Sequence, residues 1–162
     1  MKNTTFLLLM IALVMNGCTS SDSRTVALEQ QVVALEQRVN DQFVPGFGEF
    51  MSTLQVHHAK LWFAGEAGNW PLAEFEVHEL GEALDDIKKY QTERKESELV
   101  VMLDPALDSV RAAIQKADPV LFRSSYTLLT NTCNTCHQAT NFAFNVVKVP
   151  DTPPFSNQVF KP

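Results

Sequence analysis

Between Pro45-Gly46 and Asn141 the apolar residues fall into four runs spaced for one face of a helix. The first takes Phe47, Phe50 or Met51, Leu54, His57 or His58, and Leu61. Gly65 and the Gly68-Asn69 pair close it. Pro71 suits the first turn of the second, which carries Leu72, Phe75, Leu80, Ala83, Leu84, Ile87 and Tyr90. Gln91 to Glu98 is charged and reads as a loop or a frayed end. The third run starts near Asp104-Pro105, with Asp104 as N-cap, and includes Leu107, Val110, Ile114 and Ala117. Asp118-Pro119 repeats that start signal, and Val120, Phe122, Tyr126, Leu129 and Cys133 follow. Beyond Asn141 the chain reads as extended. Pro150, Pro153, Pro154 and Pro162 break regular structure, although 142–149 can pack as an extended run. The pattern predicts an all-α fold: a four-helix up-down-up-down bundle over 45–141, followed by an extended Pro-rich tail over 142–162.

Upstream, the pattern changes twice. Phe6 to Met15 is an apolar run too short for a bilayer span, which takes roughly twenty residues. With the basic Lys2 before it, 1–17 reads as a secretory signal. The run ends Val14-Met15-Asn16-Gly17-Cys18, which resembles a bacterial lipoprotein cleavage box, although Met15 stands where Leu is usual. Cys18 is then the lipidated residue and the membrane anchor. The alternatives are a simple signal or an uncleaved anchor with Cys18 incidental. The polar segment after Cys18 reads as a tether. Val26-Ala27-Leu28-Glu29-Gln30-Gln31-Val32 is then repeated as Val33-Ala34-Leu35-Glu36-Gln37-Arg38-Val39. Leu28 and Leu35 take d positions and Val32 and Val39 take a positions, the mix favoured in two-stranded parallel coils. The 25–42 heptads therefore allow a homo-oligomer. Two heptads fall short of the three or four that sustain a coiled coil, so a lone helix or one folded back on its domain is the competing expectation.

A net charge of −6, with no Lys/Arg-rich run, gives nucleic-acid binding no support. An acidic surface suits a basic partner without identifying one.

The chemistry concentrates in Cys133-Asn134-Thr135-Cys136-His137, a C-x-x-C-H motif, the attachment signature of haem c. Cysteines at i and i+3 on a helical turn each form a thioether to one haem vinyl group, and the following histidine binds the iron. A thioredoxin-like redox pair needs a βαβ setting, and no strand pattern lies nearby. A closed zinc site needs four ligands, and there is no second pair. The three cysteines are then used up: Cys18 for lipid, Cys133 and Cys136 for haem. Haem attachment outside the cytoplasmic membrane agrees with the export signal. Thr19 after the cysteine resembles outer-membrane sorting, so the expected location is the periplasmic side of a bacterial membrane, the outer one.

A helical bundle with C-x-x-C-H near its C-terminus resembles the cytochrome c′ group, the class II c-type cytochromes. The resemblance covers roughly 46–140 and rests on the motif and its position. Class I cytochromes carry the motif near the N-terminus and a methionine ligand downstream, and no methionine follows Cys136 here. The chain departs from class II after the haem histidine: Gln138-Ala139-Thr140-Asn141 stands where an aromatic and a basic residue are usual. The stretch from His57 to Glu79, with Trp62, Gly65, Trp70 and Pro71, resembles a small haem-lipoprotein group of unsettled function. The resemblance implies an antiparallel first and fourth helix, which puts Met51, His57 and His58 forward as candidate distal ligands. Adjacent histidines point about 100° apart, so one of them at most faces an iron. Phe47, Phe50 and Leu54 form the alternative, an apolar distal face of the cytochrome c′ kind.

Glu76, His78, Glu79 and Glu82 offer a metal cluster on paper. They lack the Glu-x-x-His pairs of bundle di-metal sites and read instead as a solvated face. Trp62 and Trp70 read as core that can pack near the ring. The expected function is one-electron transfer by a membrane-anchored monohaem cytochrome with an unidentified redox partner. The alternative is a five-coordinate haem module that binds nitric oxide or carbon monoxide. A haem peroxidase is the minor enzyme reading; it needs a distal acid-base pair that only His57 or His58 with a glutamate supplies.

Overall fold

A computed structural model describes residues 19–40 and 45–162. The expected signal segment and Cys18 lie outside the described residues. The chain divides before Pro45 into two units. The first holds helix α1, Thr19–Asn40. Its heptad residues Leu28, Val32, Leu35 and Val39 are all more than half exposed, as are Val33 and, at half, Val26.

Among its described residues, the regular secondary structure of the second unit is all helical. Helix α2 spans Phe47–Glu66 and α3 spans Trp70–Tyr90. A short α4, Lys95–Leu99, leads into a single 3-10 turn, Val100–Leu103. Helix α5 is Asp104–Gln115, and α6 is Pro119–Ala139. Helix α2 packs on α3, α3 on α5, α5 on α6, and α6 returns to α2 through the sparsest of the four seams. The core is Leu61, Val77, Ile87, Val110, Phe122 and Tyr126, all fully buried, with shorter aliphatics between them.

The boundaries have local causes. Gly68 takes φ +69°, a left-handed turn that a side chain would strain. Asn69 then caps α3 by accepting from the Leu72 amide at 3.3 Å. Asp118 caps α6 through the amides of Val120 and Leu121. Asp104, expected as a cap, makes no capping bond. It is the first residue of α5, and its carboxylate takes the Lys88 ammonium at 3.0 Å. The span expected as a loop contains α4. Lys95 and Glu98 lie outward, Glu96 is half-buried and Ser97 buried, and Val100 and Leu103 just beyond fix the helix to the core. Glu96 sits in its first turn, where a hydrogen bond from its own backbone amide and then the Arg94 guanidinium hold its carboxyl below the usual range.

Four expected core positions are exposed: Phe75, Tyr90, Ala117 and Val120. At the start of α3 the buried stripe is offset by one residue, with Ala73 and Glu76 turned inward, while Leu80, Ala83, Leu84 and Ile87 are buried as expected. A glutamate thus occupies the inner face where Phe75 was expected.

The tail has no regular secondary structure, yet it is pinned. Val149 packs on the core. Phe155 lies beneath the Lys60 ammonium at 5.3 Å. Phe160 is buried against Phe63, and its carbonyl accepts from the Asn69 side chain at 3.1 Å. The tail runs from the end of α6 to the far end of α2.

Candidate functional site

Helix α6 carries the motif in its last two turns. Tyr126, Leu129, Thr130, Cys133 and Cys136 repeat at i, i+3, i+4 and i+7, so one face looks into the unit. Cys133 is half-buried and Cys136 buried, and they form no disulfide. Burial, and then the neighbouring Cys136, push the Cys133 thiol up to about 12. Burial and the Glu96 carboxylate also raise Cys136. Both sulfurs are therefore protonated at neutral pH. That is the wrong state for a thioredoxin-like nucleophile.

His137 lies in a surface cleft lined by Asn131, Thr135, Gln138, Ala143 and Val146. Its Nδ1 is 2.6 Å from the carbonyl oxygen of Asn145. A carbonyl only accepts, so the proton is on Nδ1 and the Nε2 lone pair is left for a ligand. The tail holds that carbonyl in place. The Phe142 amide donates to His137 O at 2.7 Å, and the Asn145 amide to Phe142 O at 2.8 Å.

The candidate distal residues separate cleanly. His58 turns toward α6, with Nδ1 2.9 Å from Tyr126 Oη and Nε2 2.9 Å from Thr130 Oγ1. Tyr126 also donates to the His58 carbonyl at 2.7 Å and stacks on the ring at 4.5 Å. Burial lowers His58 to about 4, so the ring is neutral and both its nitrogens are engaged. The same burial raises the Tyr126 phenol, with Cys133 adding to it. His57 turns the other way, toward α3, where Nδ1 donates to Glu76 Oε2 at 2.7 Å. The contacts between α2 and α6 run antiparallel. Gly65 abuts Phe122, Trp62 touches Phe122 and Tyr126, and His58 reaches Tyr126 and Thr130. Leu54 and Met51 lie one and two turns from His58 toward the start of α2, the direction in which that register leads to the motif. Both are half-buried and packed on the core. Trp62 and Trp70 cluster around Phe122, three turns from the motif.

The acidic group is not one solvated face. Glu76 is fully buried, and its Oε1 has no hydrogen-bond partner; Lys60 Nζ stands 3.9 Å from it. His57 on α2 hydrogen-bonds Glu76 Oε2, and Lys60 on the same helix is the nearest cation to this buried side chain. His78 and Glu82 are exposed and pair with each other. Among the described residues no three His, Cys, Asp or Glu side chains are gathered to hold a metal ion. No described helix is long and apolar enough to cross a membrane.

The site therefore joins two protonated thiols one turn apart, a histidine with a free Nε2, and an opposing helix that offers a thioether and a leucine. That donor set fits a covalently attached haem. It does not fit a closed zinc site or a redox dithiol. No family model, curated protein or solved structure matches this chain.

Proposed function

We propose that this chain is a monohaem c-type cytochrome that transfers single electrons, anchored through lipid on Cys18 at the periplasmic side of a bacterial membrane, the outer one by its Thr19. The helices of 45–141 are then an up-down-up-down bundle of α2, α3, α5 and α6, with the motif at one end. The ring of packed neighbours and the antiparallel α2–α6 contacts support that topology. The observation that carries the functional reading is His137: Nδ1–H donates to Asn145 O, which leaves Nε2 to an iron.

In this reading Cys133 and Cys136 would hold the haem through thioethers, and His137 would ligate its iron through Nε2. The haem supplies a one-electron couple, and the protein sets its potential through axial ligation and burial. Cys133 and Tyr126 keep the inner side dry. Asn145 fixes the histidine ring. The redox partner is a protein that the acidic surface does not specify, and the stripe on α1 leaves a second copy of the chain as a candidate partner.

One observation favours the second reading, a five-coordinate module that binds nitric oxide or carbon monoxide. His58 already bonds Tyr126 and Thr130, and Leu54 with Met51 lies beyond it toward the motif. Absorption spectra of the matured protein, oxidised and reduced, with and without carbon monoxide, decide between them. A low-spin reduced spectrum that ignores carbon monoxide means two protein ligands, and Met51→Ala should then open the site. A high-spin spectrum that shifts with carbon monoxide establishes the second reading. A protein without haem after expression with a working attachment system contradicts both.

A further inference from the structure

We infer that Asn134, inside the motif, is a positioning residue for His137 and acts through the C-terminal strap. The inference deepens the haem reading, since it names what prepares the axial ligand. Asn134 and His137 are three apart on α6 and share a face. The Asn134 side chain makes two bonds to one residue of the strap: Oδ1 accepts from the Val147 amide at 2.8 Å, and Nδ2 donates to the Val147 carbonyl at 2.8 Å. A side-chain amide used this way imitates a paired strand and fixes both the position and the direction of the backbone it grips. Two residues earlier in the strap is Asn145, whose carbonyl accepts from His137 Nδ1–H.

The linkage forms a closed loop. His137 O accepts from Phe142 N, Phe142 O accepts from Asn145 N, Asn145 O accepts from His137 Nδ1, and Val147 is tied back to Asn134. Without Asn134, the bonds among His137, Phe142 and Asn145 remain, but the chain just beyond Asn145 loses its tie to α6. The strap is still held at its far end, where Phe160 packs on Phe63 and Asn69. The Asn145 carbonyl is then held from one side only. A free imidazole carries its proton mainly on Nε2, the wrong nitrogen for an iron ligand. Asn134 therefore selects the ligating tautomer before any haem is present. Once haem is bound, the same hydrogen bond makes the histidine a stronger donor, which favours oxidised iron.

The test uses the full chain in two forms. In the haem-free form, nitrogen-15 NMR of the histidines reads each tautomer, with His57, His58 and His78 as internal controls. The wild type should show His137 as Nδ1–H. Asn134→Ala should move it to mainly Nε2–H and leave the other three unchanged. Asn134→Asp keeps the acceptor for Val147 N but loses the donor to Val147 O, so it should fall between them. It also serves as the readout if the alanine variant unfolds. In the haem-loaded form, Asn134→Ala should keep its covalent haem while its reduction potential moves upward. A His137 that stays Nδ1–H in both variants overturns the inference, as does an unmoved potential in a loaded alanine variant. A wild type that takes no haem would defeat the haem reading alone, because the tautomer comparison does not depend on it.

Discussion

The two ends of the α2–α6 seam are built from different materials. At one end Gly65 lets the Phe122 ring approach the backbone of α2, and Trp62, Trp70 and Tyr126 surround it. An added Cβ on Gly65 would sit 2.2 Å from that ring. At the other end Cys133, Cys136 and His137 meet short or flexible neighbours, and an irregular strap fixes the histidine through carbonyls and one amide side chain. The first end is held by packed rings that cannot be changed cheaply. The second is held by directional bonds that orient a few atoms and leave room for chemistry. The stability of the unit should therefore be concentrated at the aromatic end, and the proposed function at the motif.

Phe122→Ala cuts deepest into that contrast. Removing a fully buried ring should cost ~3–5 kcal/mol in urea unfolding of the haem-free chain. Cys133→Ala with Cys136→Ala should cost much less while abolishing haem attachment. Equal losses for the two variants would erase the distinction between the ends.

The middle of the seam should respond to acid. His58 is neutral in the folded chain because its burial lowers it to about 4, while the unfolded chain takes up that proton near 6.5. The unfolded state therefore binds the extra proton between those values. This contribution to stability is flat above about pH 6.5, declines as the pH falls, and levels off below about pH 4, with a total loss of about 3 kcal/mol. Thermal unfolding from pH 7.5 to 4 should show the decline, and His58→Gln should flatten it. An unchanged slope in that variant would assign the acid sensitivity elsewhere.

The smallest effect is expected where the strap ends. Asn69 caps α3 and holds Phe160 O, so Asn69→Ala should cost about 1 kcal/mol. It should leave the His137 tautomer unchanged, because the Asn134 grip on Val147 remains. A changed tautomer would mean that the whole strap, and not its near end, aims the Asn145 carbonyl.

What the sequence made legible was whatever depends on neighbours in the chain. Pro71, and Asp118 with Pro119, announce helix starts because such signals are settled within three residues, whereas Asn69 read as the end of the helix before it and proves to cap the one after. The motif is legible for the same reason, since its spacing is the chemistry. Asp104 carried the same start signal, yet Lys88, sixteen residues away, took its carboxylate. Glu76 looked solvated because nothing adjacent neutralises it. Its partners His57 and Lys60 lie on another helix, and only the packing of α2 on α3 brings them near. The charge of Lys95 to Glu98 hid a helix that is anchored by Val100 and Leu103 just after it. The strap was the least legible part. Its prolines forbid regular structure, but its role rests on single bonds from Asn134, Asn69 and His137, which leave no periodic trace.

The most direct measurement is mass spectrometry of the tryptic peptide between Arg123 and Lys148, taken from protein made with a working haem-attachment system. The peptide holds Cys133, Cys136 and His137, and it should carry one haem bound through both sulfurs, with neither thiol open to alkylation. Two alkylated cysteines and no added haem would contradict the central claim.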